Sequence, residues 1–109
     1  MIEKIALITG ATSGIGKATA VKLSLQGYNL ILCGRRTEKL EELKKQLSVN
    51  VKVHTLTFDV RNRKEVEVQL NALPGEWKNI DLLVNNAGNA HGLSAIQDGD
   101  IDDWDAMMD

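Results

Sequence analysis

The sequence has little of what would make a disulfide framework or a membrane span. Its single cysteine, Cys33, excludes an internal disulfide and suits a reducing compartment. Cys33 lies in an apolar run, so we interpret it as a small core residue rather than a reactive thiol. No apolar run approaches the roughly 18 residues that a membrane span requires. The first apolar run enters a glycine turn rather than a cleavage site, so we expect no signal peptide and a cytoplasmic location.

Charge of one sign and metal-ligand clusters are also scarce. The formal net charge of −2 gives no electrostatic footprint for nucleic acid. The two histidines, His54 and His91, are far apart and have no cysteine partners, which argues against a zinc site. The acidic tail resembles an EF-hand loop in its aspartate spacing, but Asp103 stands where that loop needs glycine. We therefore predict no metal site and neither a nucleic acid nor a membrane as a partner.

Four short apolar runs alternate with helical patterns along the chain. The runs are Ile5–Ile8, Leu30–Cys33, Val51–Phe58 and Ile80–Val84. Three of them are almost entirely apolar, as in strands buried on both faces, whereas the third carries Lys52 and suits an edge. Strands that alternate with helices imply parallel β-α-β units. The sequence thus predicts an α/β fold, a single domain over residues 1–109 with strand order 3-2-1-4.

Three helices are expected between these strands. The first covers Ile15 to Gln26, and Gly27 follows as a stop because glycine adopts the left-handed conformation that closes a helix. The second opens with Thr37 as its N-cap, and the third opens at Asn62 with a capping box. The first helical pattern includes the apolar residues Ile15, Ala18, Val21, Leu23 and Leu25. The apolar stripes predicted for the second and third helices are Leu40, Leu43 and Leu47, and Val66, Leu70 and Leu73.

The segment between the first strand and the first helix is rich in glycine and hydroxyl groups. It runs TGATSGIG, with the spacing G-x-x-x-G-x-G, whereas the usual dinucleotide fingerprint is G-x-G-x-x-G. A helix N-terminus has unpaired N–H groups and a partial positive charge, and glycines let a phosphate approach it closely. The alternative is a tight turn whose hydroxyls only cap the helix. The phosphate-binding turn that we predict comprises Gly10, Ala11, Thr12, Ser13, Gly14, Ile15 and Gly16.

The end of the second strand indicates which dinucleotide such a turn would take. An acidic residue at this place binds the ribose hydroxyls of NAD. Gly34 stands there instead, and Arg35 and Arg36 follow directly. Two guanidinium groups suit a 2′-phosphate, so the sequence favours NADP over NAD. The alternative is a pair of solvated arginines before a helix.

The third and fourth strands also end in polar or small residues. Asp59 and Val60 follow the third strand, and Asn85-Asn86-Ala87-Gly88 ends the fourth. In open α/β sheets, ligands lie beyond the carboxyl ends of the strands. Asp59 is therefore a candidate acceptor for an adenine amino group; the alternative is a turn carboxylate before the third helix.

Together these motifs resemble the short-chain dehydrogenase/reductase family. TGATSGIG is similar to its T-G-x-x-x-G-x-G cofactor motif, and NNAG is similar to its second signature. GRRTEKLEELK, FDVRNRKEVE and LPGEWKNIDLLVNNAG resemble the NADP-dependent 3-hydroxy acid dehydrogenases, which include serine and allo-threonine dehydrogenases. The resemblance implies a Rossmann-type doubly wound fold, a small hydroxy acid or carbonyl substrate, and a homotetramer. Its implied cofactor contacts are Gly10 through Gly16, Arg35, Arg36, Asp59, Val60, Asn86, Ala87 and Gly88.

One departure from the family pattern is large. The family's catalytic residues include a Tyr-x-x-x-Lys pair beyond NNAG, whereas the one tyrosine here is Tyr28, with Leu32 four residues later. We therefore assign no catalytic residue and expect an incomplete, N-terminal cofactor-binding portion of an NADP-dependent oxidoreductase, inactive by itself. The alternative, from another class, is a non-catalytic nucleotide-binding fragment or module.

Overall fold

The computed structural model describes residues 4–59 and 61–86 of the chain. Strands and helices alternate along both ranges, with a short 3₁₀ helix at Gly75–Trp77 before the last strand. The elements in chain order are β1 (Ile5–Thr9), α1 (Gly14–Leu25), β2 (Asn29–Gly34), α2 (Thr37–Leu47), β3 (Val53–Thr57), α3 (Arg63–Asn71) and β4 (Leu82–Asn85).

The four strands form one parallel sheet in the order β3-β2-β1-β4. This confirms the predicted α/β fold and its strand order. The chain reverses its direction of progress across the sheet at β1, because β2 and β4 lie on its opposite sides. In such sheets the crevice at this reversal, beyond the carboxyl ends of the strands, is where ligands bind.

Alternate residues of the strands build two cores, one on each face of the sheet. Leu7, Ile31 and Leu83 face the core that α3 covers, together with Trp77 from the 3₁₀ helix. The opposite core contains Ile8 with residues of β2, α1 and α2. Every residue of β1 and β2 is buried, whereas β3 alternates with partly exposed positions, as expected at an edge.

The apolar residues that mark α1 in the sequence are not the ones it buries most deeply, although Val21 and Leu23 are partly buried against the core. Ile15 and Leu25 are 74% and 73% exposed. The buried face of the helix consists instead of Gly16, Ala20 and Ser24, spaced four residues apart. Residues at this spacing share one helix face, and small side chains let α1 lie close to the strands. Hydrophobic periodicity missed this face because the helix packs there through small side chains rather than through large apolar ones.

The helix ends match the predictions at α1 and α3. Gly27 has a φ of 89°, and the N–H of Tyr28 donates to the carbonyl of Leu23 over 3.1 Å, which closes α1 in a Schellman motif. The N–H of Glu65 donates to the side-chain carbonyl of Asn62 over 3.1 Å and caps α3. Among the described residues, no helix is long and apolar enough to cross a membrane.

The predicted cap of α2 is wrong by one residue. Arg36 holds the N-cap position and makes no side-chain capping bond, whereas Thr37 is the first helical residue. The hydroxyl of Thr37 instead lies 3.1 Å from that of Thr57 and links the start of α2 to the end of β3. The stripes Leu40, Leu43, Leu47 and Val66, Leu70, Leu73 are buried as predicted.

Candidate functional site

The glycine turn after β1 is shaped by a very close approach between Gly10 and Gly16. Gly10 has a φ of 62°, in the left-handed region that favours glycine. A β-carbon at residue 16 would overlap the carbonyl oxygen of Gly10 and lie 2.9 Å from the side-chain nitrogen of Asn86. Only glycine fits at residue 16, and its lack of a side chain lets the first turn of α1 pack against the carbonyl of Gly10.

Ser13 ties the turn together through its hydroxyl group. As the N-cap of α1, its oxygen accepts from the N–H of Gly16 over 3.3 Å. The same hydroxyl donates to the carbonyl of Gly10 over 2.8 Å and accepts from the side-chain amide of Asn86 over 2.8 Å. The capping role, considered above as an alternative to ligand binding, is therefore real, and it shapes the turn that a ligand would meet.

The end of β4 is anchored to the end of β1. The side-chain amide of Asn86 also donates to the carbonyl of Gly10 over 3.4 Å. The hydroxyl of Thr9, fully buried at the end of β1, lies 3.0 Å from the side-chain carbonyl oxygen of Asn85. Both asparagines of NNAG thus hold the carboxyl ends of two neighbouring strands in register with the glycine turn.

A cavity of about 480 Å³ opens at this edge of the sheet. Gly10 from the end of β1, Gly34 from the end of β2 and Phe58 after β3 contribute to its walls. The complete lining is Gly10, Thr12, Ser13, Gly34, Arg35, Arg36, Lys39, Phe58, Asp59 and Arg61. The cavity therefore spans three strand ends, as expected for a nucleotide site in an open α/β sheet.

The cavity lining is predominantly cationic. It carries four basic side chains against a single carboxylate, that of Asp59. The four are Arg35, Arg36, Lys39 and Arg61. Guanidinium groups bind phosphate in a two-point geometry, so this lining suits a ligand that carries phosphate near the end of β2.

Asp59 is held by Arg61 in a local, two-point ion pair. One carboxylate oxygen accepts from the backbone N–H and the Nε–H of Arg61 over 2.9 and 3.1 Å, and the other accepts from a terminal nitrogen over 2.9 Å. These hydrogen bonds, with a smaller contribution from the charge of Arg35, lower the pKa of Asp59 to about 2. The carboxylate therefore stays charged at neutral pH.

The N-terminus of α1 offers donors beside the cavity. Among the residues that the structure describes, no acceptor contacts the N–H of Gly14 or of Ile15. A β-carbon built at Gly14 would meet nothing within 4 Å outside its own turn, so the surface beside Gly14 is open. Free N–H groups, open space and bordering cations fit the pyrophosphate and 2′-phosphate of a dinucleotide.

The structure brings six of the predicted site residues to the cavity, namely Gly10, Thr12, Ser13, Arg35, Arg36 and Asp59. The others have different positions. Ala11 is fully buried, its N–H donating to the carbonyl of Cys33, while Gly16 and Asn86 support the turn from beneath. Gly14 and Ile15 form the first turn of α1. Val60, Ala87 and Gly88 lie outside the described residues, so their predicted roles stay predictions.

Sequence reasoning missed Lys39, Arg61 and Phe58 as cavity residues. Lys39 lies in the first turn of α2, where a positive charge is unfavourable with the helix dipole, but this alone does not mark it as a cavity residue. Arg61 is two residues after Asp59, a spacing at which an aspartate commonly closes a turn on itself. Phe58 was visible only as the end of an apolar run.

The residues set aside in the sequence have ordinary structural settings where the structure describes them. Cys33 is buried, and burial raises the pKa of its thiol. His54 packs its ring against Trp77 with centroids 5.5 Å apart. Within residues 4–59 and 61–86, no three histidine, cysteine or carboxylate side chains gather where a metal ion would bind. His91 and the acidic tail lie outside these residues.

Comparisons with known proteins agree on one family. The short chain dehydrogenase family model matches residues 4–109. YdfG of Escherichia coli, an NADP-dependent 3-hydroxy acid dehydrogenase, is 47% identical over 105 residues, which are 96% of this chain and 42% of that protein. Sulfoacetaldehyde reductase 2 of Chromohalobacter salexigens is 48% identical over 108 residues, or 99% of this chain and 43% of that protein.

A solved structure has the same architecture. The closed form of serine dehydrogenase complexed with NADP⁺ is 49% identical and gives a TM-score of 0.66 over 75% of this chain and 32% of that one. The chain thus spans less than half the length of the relatives it matches. A family match over nearly the whole chain, joined to the parallel sheet and the glycine turn, shows that the chain belongs to the short-chain dehydrogenase family.

Proposed function

We propose that this chain forms the cofactor-binding portion, over residues 1–109 of one Rossmann-type domain, of an NADP-dependent oxidoreductase. The observation that carries the proposal is the cationic cavity at the ends of β1, β2 and β3, which joins the glycine turn to Arg35 and Arg36. The relative YdfG is described as NADP-dependent, and the serine dehydrogenase structure contains NADP⁺. Family membership supplies the reaction type, an oxidoreduction.

In this proposal the glycine turn holds the pyrophosphate of the cofactor. The free N–H groups of Gly14 and Ile15 and the hydroxyl of Thr12 are its donors, while Ser13 holds the turn in place. The dipole of α1 adds a partial positive charge at the same place. Val60, Ala87 and Gly88 are proposed as further contacts on the strength of the family motif alone.

Arg35 and Arg36 bind the 2′-phosphate in this proposal. Both are exposed at the mouth of the cavity, directly after β2, and Gly34 leaves no carboxylate there to repel a phosphate. Charge-assisted hydrogen bonds of this kind contribute about 1.5–3 kcal/mol each. Such energies correspond to about a tenfold or larger preference for NADP over NAD.

Bound NADP supplies a hydride acceptor, or in its reduced form a hydride donor. This chain's own residues bind and orient the cofactor, and we assign none of them to proton transfer, because Tyr28 is not followed by lysine four residues later. We further propose that the whole protein is a cytoplasmic homotetramer that acts on a small molecule. If the Tyr-x-x-x-Lys chemistry is absent from the whole protein, the alternative is a non-catalytic nucleotide-binding module.

Two substrate classes have support from the relatives. We propose the oxidation of 3-hydroxy acids such as serine or allo-threonine, or the reverse reduction, because YdfG and serine dehydrogenase are similar to this chain. Sulfoacetaldehyde reductase 2 is equally similar, which favours an aldehyde bearing a sulfonate as the second class. Both classes join an alcohol or carbonyl to an anionic group.

The test measures reduction or oxidation of the cofactor by the full chain as the cell makes it. Serine, allo-threonine and 3-hydroxypropionate are supplied with NADP⁺ or NAD⁺, and sulfoacetaldehyde is supplied with NADPH or NADH. The proposal expects a kcat/KM at least about tenfold higher with the 2′-phosphorylated cofactor. Binding of NADPH without turnover of any compound would favour the module, and binding of neither cofactor would contradict the proposal.

A further inference from the structure

Arg61 lines the cavity, but its guanidinium group is paired with the carboxylate of Asp59. Its guanidinium makes two side-chain hydrogen bonds to the carboxylate, and its backbone N–H makes a third. The side chain is 68% exposed even so, and both partners line the cavity with Arg35 and Arg36. A fixed carboxylate at the wall of a phosphate site repels the phosphate unless a cation compensates it.

The positions of these charges define what Arg61 does for a bound anion. Arg35 is close enough to Asp59 for its charge to contribute to the lowered pKa of that carboxyl group. Without Arg61, Asp59 would therefore compete with the ligand for Arg35. With Arg61 in place, the carboxylate is already satisfied, and Arg35 and Arg36 remain available to a phosphate.

We propose that Arg61 is a positioning residue for cofactor selection, which neutralises Asp59 so that the cavity accepts a 2′-phosphate. The inference rests on the proposed NADP function and adds a specificity determinant that acts through another residue. Asp59 keeps a fixed orientation, since the backbone N–H of Arg61 holds one of its oxygens. Direct contact between Arg61 and the phosphate is the competing account, and the test separates the two.

The experiment is a double-mutant cycle read by nucleotide binding rather than by activity. The variants are Arg61→Gln, Asp59→Asn and the pair together, in the full chain as the cell makes it. Isothermal titration measures the affinity for adenosine 2′,5′-bisphosphate and for adenosine 5′-monophosphate, which lacks the 2′-phosphate. The cycle isolates the coupling between the two residues.

The matched control is Arg63→Gln. Arg63 is 67% exposed and pairs with Glu67 over 3.2 Å within α3, so its loss changes the net charge and breaks a similar ion pair, yet it does not line the cavity. We expect this variant to bind both nucleotides as the wild type does. Circular dichroism melting of each variant confirms that the fold is retained.

The inference predicts a specific pattern of affinities. Arg61→Gln weakens binding of the 2′,5′-bisphosphate about five- to tenfold, because the negative charge of Asp59 is then no longer compensated and repels the 2′-phosphate. Binding of the monophosphate stays within about twofold of the wild type. In the Asp59→Asn background the same change has no effect beyond about twofold. Raising the salt concentration shrinks the difference, since the repulsion is screened.

Three outcomes overturn the inference. An equal loss from Arg61→Gln with and without Asp59 means that the guanidinium contacts the phosphate directly. An equal loss for both nucleotides, or none, means that the pair is structural only. Each of these results overturns the inference alone when the wild type prefers the 2′,5′-bisphosphate. A wild type with no such preference instead overturns the proposed NADP function and this inference with it.

Discussion

The side-chain amide of Asn86 donates a 2.8 Å hydrogen bond to the hydroxyl of Ser13, 73 residues earlier in the chain. The bond joins the end of β4 to the N-cap of α1, and a second one, of 3.4 Å, joins the same amide to the carbonyl of Gly10. The conformation of the glycine turn therefore depends on a residue from the far end of the described chain.

Replacing Asn86 by alanine removes both hydrogen bonds. We expect the free energy of unfolding to fall by about 1–2 kcal/mol, since each lost bond contributes about 1 kcal/mol. Because Ser13 shares the bond, Ser13→Ala and Asn86→Ala should be less than additive when combined. Urea denaturation of the two single variants and the double variant measures this.

Asn71→Ala is the control for that series, because Asn71 is exposed at the end of α3. It should leave the free energy of unfolding within about 0.5 kcal/mol of the wild type. Strict additivity of Ser13→Ala and Asn86→Ala would mean that the hydrogen bond between them adds nothing to stability.

Gly16→Ala and Gly14→Ala form a matched pair within the same helix turn. A β-carbon at residue 16 overlaps the carbonyl of Gly10, whereas one at residue 14 meets nothing within 4 Å. We expect Gly16→Ala to cost about 1–3 kcal/mol of stability, or more if the turn cannot shift. Gly14→Ala should be neutral or slightly stabilising, because alanine suits a helix better than glycine. Thermal melting followed by circular dichroism distinguishes them, and equal destabilisation would refute the close approach.

The acid sensitivity of the fold should include a contribution from His54. Burial, with the nearby charge of Lys44, lowers the pKa of His54 below 6.5. As the pH falls below 6.5 the unfolded chain binds this proton first, so stability is full above that pH and declines towards the folded-state pKa. Urea denaturation between pH 7.5 and pH 5 follows the decline.

Two variants test this assignment. His54→Gln should flatten that part of the pH profile, and Lys44→Met should reduce the slope by a smaller amount, since burial is the larger cause. The assignment fails if His54→Gln keeps the wild-type slope across this range.

The fold was predictable from the sequence because its signals are local and redundant. Apolar runs marked β1, β2 and β4, and Gly27 and Asn62 marked helix ends whose hydrogen bonds the structure contains. The face of α1 was not predictable in this way. Hydrophobic periodicity registers large apolar side chains, whereas Gly16, Ala20 and Ser24 are buried because they are small.

The candidate site was predictable in its parts but not in its connections. The glycine turn, Arg35 and Arg36 stood out by composition and by following strands. The pairing of Asp59 with Arg61 and the support of Ser13 by Asn86 depend on where side chains point, which spacing alone does not specify. For that reason Asp59 was assigned to adenine without the cation that holds it, and its contact with adenine stays a prediction.

The most direct test of the account compares the affinity of the full chain for NADPH and NADH, before and after Arg35→Gln and Arg36→Gln are made together. Both arginines line the cavity beyond β2. The account predicts that NADPH binds at least about tenfold more tightly than NADH to the wild type, and that the double variant loses most of this preference while still binding NADH. Equal affinity for the two cofactors in the wild type, or a preference for NADPH that survives the double substitution, would contradict it.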